Sequence, residues 1–294
     1  MDKYCITDLQ YSKPFKLIAT GDESGTLTIR PFQKSIQIWN PENSKEAYIN
    51  QMHKACITKI AWADCENGCM LATASYDKTV LLHTRTNSGD WICSNPIILD
   101  SSVLCIDFTP KEQGLIIGAI TYFGTLYLLT INVSSNMKEL KIYAKYESSN
   151  TNHSIKASLS FRPFIEQFFD IRCCAYVYGD EGVLRIIEFK NKDSKHIDEI
   201  SRKEEEISKV NSVAWCPMIG ANSILLIAAC EKCVWCFFID KKTGGVLNKV
   251  QIDKLMNAKK LQWEGNALII LMSNDEIQQW EADFDKMELI KVTE

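Results

Sequence analysis

Cys230, Cys233 and Cys236 follow one another at the spacing of thiolates in a zinc knuckle. They cross a strand-turn-strand pattern. A closed structural zinc site needs four ligands, and no Cys or His pair stands nearby to complete one. Within a strand, Cys serves as a small buried apolar residue, so three reduced thiols and no metal are expected. Cys65 and Cys69 give a weaker signal still, and Cys173 and Cys174 must point to opposite faces of one strand. His53, Ser75 and Asp77 supply the side-chain types of a nucleophilic triad. A triad also requires an oxyanion hole. No nucleophile elbow, phosphate-cradling Gly-rich loop or His-Glu-x-x-His helix accompanies these residues. The structural reading is preferred: a loop histidine, a strand serine and a turn aspartate that hydrogen-bond one another and hold the turns of a sheet. No catalytic, cofactor or metal residue is assigned, and no enzyme activity is expected. His153 and His196 lie in polar sequence and are read as solvated.

The elements that would position these side chains are short strands. Residues 71–75 are small and apolar, as suits an inner strand packed on both faces. Tyr76-Asp77-Lys78 reads as a turn, where Asp bonds its own backbone. Residues 79–83 are β-branched and aliphatic. With residues 57–62 before them and residues 91–99 after, they make one four-stranded unit. The rest of the chain repeats it. Each unit opens with an apolar-x-x-apolar-x-aromatic strand, anchored at Tyr11, Trp62, Phe108, Phe161, Trp215 and Trp263. The anchors stand roughly 50 residues apart, a little longer than a WD-repeat. In the first unit, residues 25–29 and 35–39 compete for the third strand. The fourth strand of the fourth unit is placed near residues 195–200, and residues 197–210, with Glu204, Glu205 and Glu206, are read as a charged loop.

Composition narrows the function. The chain has 294 residues, is 46% hydrophobic and carries a net charge of −4. It is globular and has no electrostatic footprint for nucleic acid. No apolar run approaches the length that spans a bilayer, and the start carries no signal peptide. Twelve cysteines are too few for a disulfide scaffold, which fits reduced thiols in the cytosol or nucleus.

Six such units make an all-β, six-bladed WD-repeat β-propeller as a single domain over residues 1–294, with blades at about 4–50, 53–99, 102–147, 154–201, 209–252 and 257–293. The residues before Tyr11 and after Trp263 suffice for six blades only. No intrachain seventh blade is expected, so the ring either closes with six blades or stays open. An open ring would receive strands from a partner.

Several segments carry a resemblance. Residues 71–80 (Leu-Ala-Thr-Ala-Ser-Tyr-Asp-Lys-Thr-Val) resemble the second blade of the SEH-type nucleoporins of the nuclear pore Y complex. Residues 100–115 are similar to the third blade, with Phe108-Thr109-Pro110 and Gly114-Leu115. Ala214-Trp215-Cys216-Pro217 to Gly220, followed by Ile227 to Lys232, is similar to the fifth. Gln279-Trp280-Glu281-Ala282-Asp283-Phe284 is similar to the end of the sixth. Asn274-Asp275-Glu276 departs from the family's sixth-blade turn, and His83 stands where Trp is usual. The propeller of the COPII outer coat is a sister family.

The resemblance implies an open propeller that takes a blade in trans from a long helical scaffold nucleoporin, and contacts with other Y-complex subunits. It implies a structural role in the outer ring of the nuclear pore complex at the nuclear envelope, supporting protein and mRNA transport, with no direct nucleic-acid binding and no membrane insertion. The partner-blade edge is placed at Ile6, Leu9, Tyr11, Ile277 and Trp280. The alternative is a cytoplasmic vesicle coat on the endoplasmic reticulum, or a nutrient-signalling complex, using the same blade insertion.

Overall fold

The computed structural model describes residues 5–32, 47–64, 66, 68–134, 137–147, 156–166, 171–178, 183–191, 197–206, 209–252, 258–264 and 266–292. Apart from a 3₁₀ turn at Lys111–Gln113, their regular elements are strands. The first sheet is β1 (Ile6–Ser12), β2 (Leu17–Asp22), β3 (Leu27–Pro31) and β4 (Tyr48–Asn50). The second is β5 (Ile57–Trp62), β6 (Met70–Ser75), β7 (Thr79–Arg85) and β8 (Trp91–Cys93), with β9 (Ile97–Ile98) also on β7. The third is β10 (Val103–Phe108), β11 (Ile116–Thr121), β12 (Leu126–Ser134) and β13 (Met137–Tyr146). The fourth is β14 (Ala157–Phe161), β15 (Ile171–Tyr178), β16 (Val183–Asn191) and β17 (Ile197–Glu206). The fifth is β18 (Val210–Ile219), β19 (Ser223–Cys230), β20 (Val234–Asp240) and β21 (Val246–Ile252). The sixth is β22 (Ala258–Glu264), β23 (Ala267–Met272), β24 (Ile277–Asp283) and β25 (Glu288–Lys291). Apart from β9, strand order follows chain order and every pairing is antiparallel, so each sheet is a meander. The chain divides into two compact units, residues 1–111 with 115–151, and residues 112–114 with 152–294.

The opening strand of a sheet carries a repeated irregularity. Register shifts between Ile6 and Asp8, Ile57 and Lys59, Val103 and Cys105, Val210 and Ser212, and Ala258 and Lys260. A bulge there raises local twist and re-aims the side chains that follow. The same device at the same place marks the sheets as copies of one unit.

Two sequence expectations meet the structure directly. In the first sheet the third strand is β3, paired from Leu17↔Pro31 to Gly21↔Leu27. The competing residues 35–39 lie outside the described residues, as do Cys65, His153 and His196. Residues 197–210 are not a charged loop over most of their length. β17 pairs with β16 from Asn191↔Ile197 to Val183↔Glu206. An outermost strand needs only its backbone groups to join a ladder, and a solvated edge tolerates charge.

Burial separates the sheets. β6, β11 and β19 are buried at every position, so both faces of those strands are covered. β23 is buried only at alternate positions. In β2, Ile18 and Asp22 are half-exposed. The outward face of β1 bears Leu9 and Tyr11, and the Tyr11 ring lies 4.9 Å from the exposed ring of Phe32. Apolar side chains therefore face solvent on the first sheet, while the polar Asp8 and Ser12 of the same strand are buried.

Candidate functional site

Two of the side chains singled out for chemistry, His53 and Asp77, belong to a polar relay that is buried at His53, Thr73 and His83 and half-buried at its ends. The turn between β6 and β7 presents Asp77, whose Oδ1 accepts from the backbone N–H (2.9 Å) and the hydroxyl (2.5 Å) of Thr79. Its Oδ2 accepts from the N–H of Lys54 at 2.7 Å and faces His53 Nδ1 at 3.3 Å. The Thr79 hydroxyl proton is committed to Asp77, so its oxygen accepts from His53 Nδ1–H at 2.9 Å. His53 Nε2 is then an acceptor and takes the proton of Thr73 Oγ1 at 2.7 Å. Thr73 Oγ1 in turn accepts from His83 Nε2–H at 3.2 Å. His83 Nδ1 faces the Tyr48 hydroxyl at 3.4 Å, and Tyr48 accepts from Asn50 Nδ2 at 3.0 Å. One orientation of protons satisfies the whole chain of donors from Asn50 to Asp77.

Ser75 is placed differently from the expectation. Its hydroxyl donates to Ala55 O at 2.9 Å and accepts from the Asp77 N–H at 3.1 Å. The hydroxyl that meets His53 is that of Thr73, two residues earlier on the same face of β6. Thr73, Thr79 and Tyr48 were not singled out from the sequence. His83, which stands where Trp is usual in the family, links Thr73 to Tyr48 within the relay.

The electrostatics suit a fixed structural part. Burial works against the Asp77 carboxylate, but its bonds from His53, Thr79 and Lys54 overcome this and hold the group well below the usual carboxylate range. Burial, and then the neighbouring His53, push the His83 imidazole down to about 3. Burial, and then Cys93, push the Tyr48 phenol up to about 12. A general base needs a pKa near the working pH and access to a substrate. His83 has neither, being fully buried. Cys230, Cys233 and Cys236 are buried in the fifth sheet, and burial pushes the Cys236 thiol up to about 12. Among the described residues no group of three or more His, Cys, Asp or Glu is arranged to hold a metal ion.

A second set of side chains joins sheet to sheet within each compact unit. Thr7 Oγ1 donates to Ile57 O at 2.5 Å, and Thr58 Oγ1 donates to Val103 O at 2.6 Å. Asn211 Nδ2 donates to Ala258 O at 2.9 Å. One residue further along, Asp8 Oδ2 accepts from the Ile60 N–H at 2.8 Å, Ser158 Oγ accepts from the Val213 N–H at 3.0 Å, and Ser212 Oγ accepts from the Leu261 N–H at 3.3 Å. Between β1 and β5 and between β18 and β22 the opening strands are thus stitched by a donor and then an acceptor, while β5 gives β10 the donor alone and β14 gives β18 the acceptor alone. The sequence holds a signal for the acceptor: Asp8, Ser158 and Ser212 each stand three residues before an aromatic anchor.

The predicted partner edge divides in two. Ile6 (42%), Leu9 (49%) and Tyr11 (42%) on β1 are exposed, and β1 is the terminal strand of its sheet. Ile277 is 68% exposed at the start of β24. Trp280 is 8% exposed and packs into the core of its sheet, with Nε1 donating to Gln278 Oε1 at 3.2 Å. Its strand is paired on both sides at that point, with Leu268 and with Lys291. Trp280 therefore lies on no free edge: a large aromatic ring at an inward position of an inner strand is worth more buried.

No family model matches the chain. Among curated proteins it is similar to the Drosophila melanogaster Protein SEC13 homolog, 28% identical over 195 residues, which is 63% of this chain and 53% of the relative. That match spans about half the length of the relative. It is similar to Nucleoporin SEH1 of Osmerus mordax, 20% identical over 281 residues, covering 85% of this chain and 76% of the relative. Nucleoporin SEH1 of Saccharomyces cerevisiae is 23% identical over 243 residues, covering 77% of this chain and 64% of the relative. Among solved structures, a chain of the "Crystal Structure of Mitotic Checkpoint Complex" superposes with a TM-score of 0.64 at 13% identity, covering 96% of this chain and 76% of that one. That likeness establishes the fold, and the curated relatives agree with the resemblance read from the motifs: the chain is a WD-repeat β-propeller similar to the SEC13 and SEH1 propellers.

Proposed function

We propose that this propeller is a scaffold subunit of the nuclear pore outer ring. It comprises one domain over residues 1–294 and holds a β-blade donated by a helical scaffold nucleoporin. One observation carries the reading. Inner strands β6, β11 and β19 are buried on both faces, whereas β23 alternates buried and half-buried positions and β1 turns Leu9 and Tyr11 to solvent. The exposed apolar side chains of β1, the terminal strand of its sheet, are a surface that a donated strand would cover. Exposed apolar groups at such a place mark an interaction surface. No enzyme role is assigned, because His53, Thr73 and His83 at the centre of the polar relay are buried and bonded to one another.

A vesicle-coat role is the second reading, favoured by the similarity to the Drosophila SEC13 homolog. Both readings use the same surface and differ in the partner. Affinity purification of the tagged full chain from its own cells tests them. Stoichiometric recovery of a helical nucleoporin, together with a rim signal at the nuclear envelope, supports the pore assignment. Recovery of a coat subunit and location on the endoplasmic reticulum moves the protein to the secretory pathway. Recovery of no stoichiometric partner overturns blade donation.

A further inference from the structure

The outer hairpin of the third sheet reaches beyond its own sheet. β12 pairs with β11 as far as Ile116↔Thr130. Beyond that it pairs with β13 alone, from Ile131↔Leu140 to Ser134↔Met137. A two-stranded ribbon is marginal by itself, and this one is held by the second sheet, where Leu140 shares a core with Met70 and Leu82. A cavity of about 100 Å³ lies where the ribbon meets β7 and β8, with Leu82, Thr84, Ile92, Cys93 and Lys138 in its lining. Among the described residues of that lining, Lys138 alone is charged. Its side chain is half-buried, and its Nζ lies 4.0 Å from Sδ of the fully buried Met70. A thioether is a weak acceptor. Among the described residues no carboxylate is paired with this ammonium. Burial holds Lys138 below its ordinary pKa, whereas a carboxylate at hand would raise it. Cys93 adds no negative charge, because burial pushes its thiol up to about 11. Ser94 Oγ, also in the lining, is committed to the Leu82 N–H and Asn95 O. The Thr84 hydroxyl has no bonding partner among the described residues.

We propose that this cavity binds a carboxylate on a one-carbon stem, with Lys138 as its charge partner and the Thr84 hydroxyl as a second donor. Size sets the stem. An apolar cavity of about 150 Å³ takes the six carbons of benzene, so about 100 Å³ takes about four non-hydrogen atoms. A carboxymethyl group has that number. Donor count sets the head. Two oxygens meet two donors, and the bond to the ammonium is charge-assisted. A phosphate would bring further oxygens to walls formed by Leu82 and Ile92, and buried acceptors left unpaired are costly. The methylene of the stem packs on those same two side chains. Two sources carry this group: a free acetate-like ion, and the side chain of an aspartate on another chain.

The test titrates the full chain with sodium acetate while the isoleucine Cδ1 methyl groups are followed by NMR. The Ile92 signal should shift and saturate, and sodium chloride at equal ionic strength should not reproduce the shift. Lys138→Met keeps an unbranched side chain and removes the charge, and it should weaken acetate binding by about tenfold or more. Thr84→Val should weaken it by less. Circular dichroism of both variants should match that of the unaltered chain, because Lys138 and Thr84 are half-buried. An Ile92 signal that does not move, an equal shift with chloride, or a folded Lys138→Met variant that binds acetate as well as the unaltered chain overturns the proposal. The same titration of the complex recovered with the tagged chain identifies the source. An Ile92 signal that still responds there assigns the site to a free carboxylate, and one that no longer responds assigns it to an aspartate of the partner.

Discussion

Gly220 lies so close to Phe284 that a Cβ on the glycine would sit 2.6 Å from Cδ1 of the ring and 2.8 Å from Cγ. The two residues belong to separate sequence signals, one ending β18 and its loop and the other following β24. The ring also packs edge-on against Phe238, with centroids 6.1 Å apart. The fifth and sixth sheets therefore meet where a side chain at residue 220 has no room. Gly220→Ala is expected to cost about 1–3 kcal/mol through overpacking, read as a lower urea midpoint. In a Phe284→Leu background the same substitution should cost clearly less. An equal cost in both backgrounds would place its cause elsewhere.

Thr73 serves two imidazoles at once, and Thr73→Val removes the only hydroxyl between them while keeping the shape. The Nε2 atoms of His53 and His83 then lose a partner inside the sheet. Leaving a buried polar group unsatisfied costs about 1–3 kcal/mol. Ser75→Ala should also destabilise, since it frees Ala55 O and the Asp77 N–H, but those groups lie nearer the turn. Urea denaturation of both variants checks the ranking, and a larger loss for Ser75→Ala would count against the relay.

Acid should weaken the second sheet in two stages. The folded pKa of His83 is depressed to about 3 from an ordinary 6.5. The unfolded chain binds that proton first, so stability present above 6.5 declines as pH falls through 6.5 and on toward 3. Asp77 is held below its ordinary value of 3.8, so its contribution is present above 3.8 and is lost as pH falls through its lower folded value. Melting temperature measured between pH 7.5 and 4 should fall, and less steeply for His83→Phe. The His83 ring should remain neutral by NMR at pH 5, and a charged ring there would contradict its burial.

The solvent-facing apolar residues should separate stability from binding. Leu9→Ser and Ile277→Ser remove exposed side chains, so stability should change by less than about 0.5 kcal/mol. Recovery of the partner from cells should fall for each. A large drop in melting temperature with binding intact would mean that these side chains serve the fold.

Much of the architecture was legible because its signals are local. Strand-like apolar runs, Tyr76-Asp77-Lys78 as a turn and the aromatic anchors all depend on near neighbours in the chain, and β6, β18 and β22 appear where those signals place them. Two readings needed the pairing partner. Residues 25–29 and 35–39 look alike as strands, and only the ladder with β2 selects β3. The strand expected near residues 195–200 runs on to Glu206 through sequence that looks too charged for a strand, because an outer strand is chosen by a free backbone edge rather than by its side chains.

The sequence by itself determined that this chain is built from repeated four-stranded units with buried thiols and a histidine–aspartate pair, because residue type and two-residue alternation act over a few positions. Only the tertiary structure decided which hydroxyl reaches His53, where Trp280 goes and that β1 keeps Leu9 and Tyr11 exposed. Thr73 and Ser75 share a face of one strand, and the path of the loop carrying His53 chooses between them. Trp280 is buried by its pairing on both sides and by its sheet's core. Those outcomes depend on contacts between residues far apart in the chain, which local pattern does not encode.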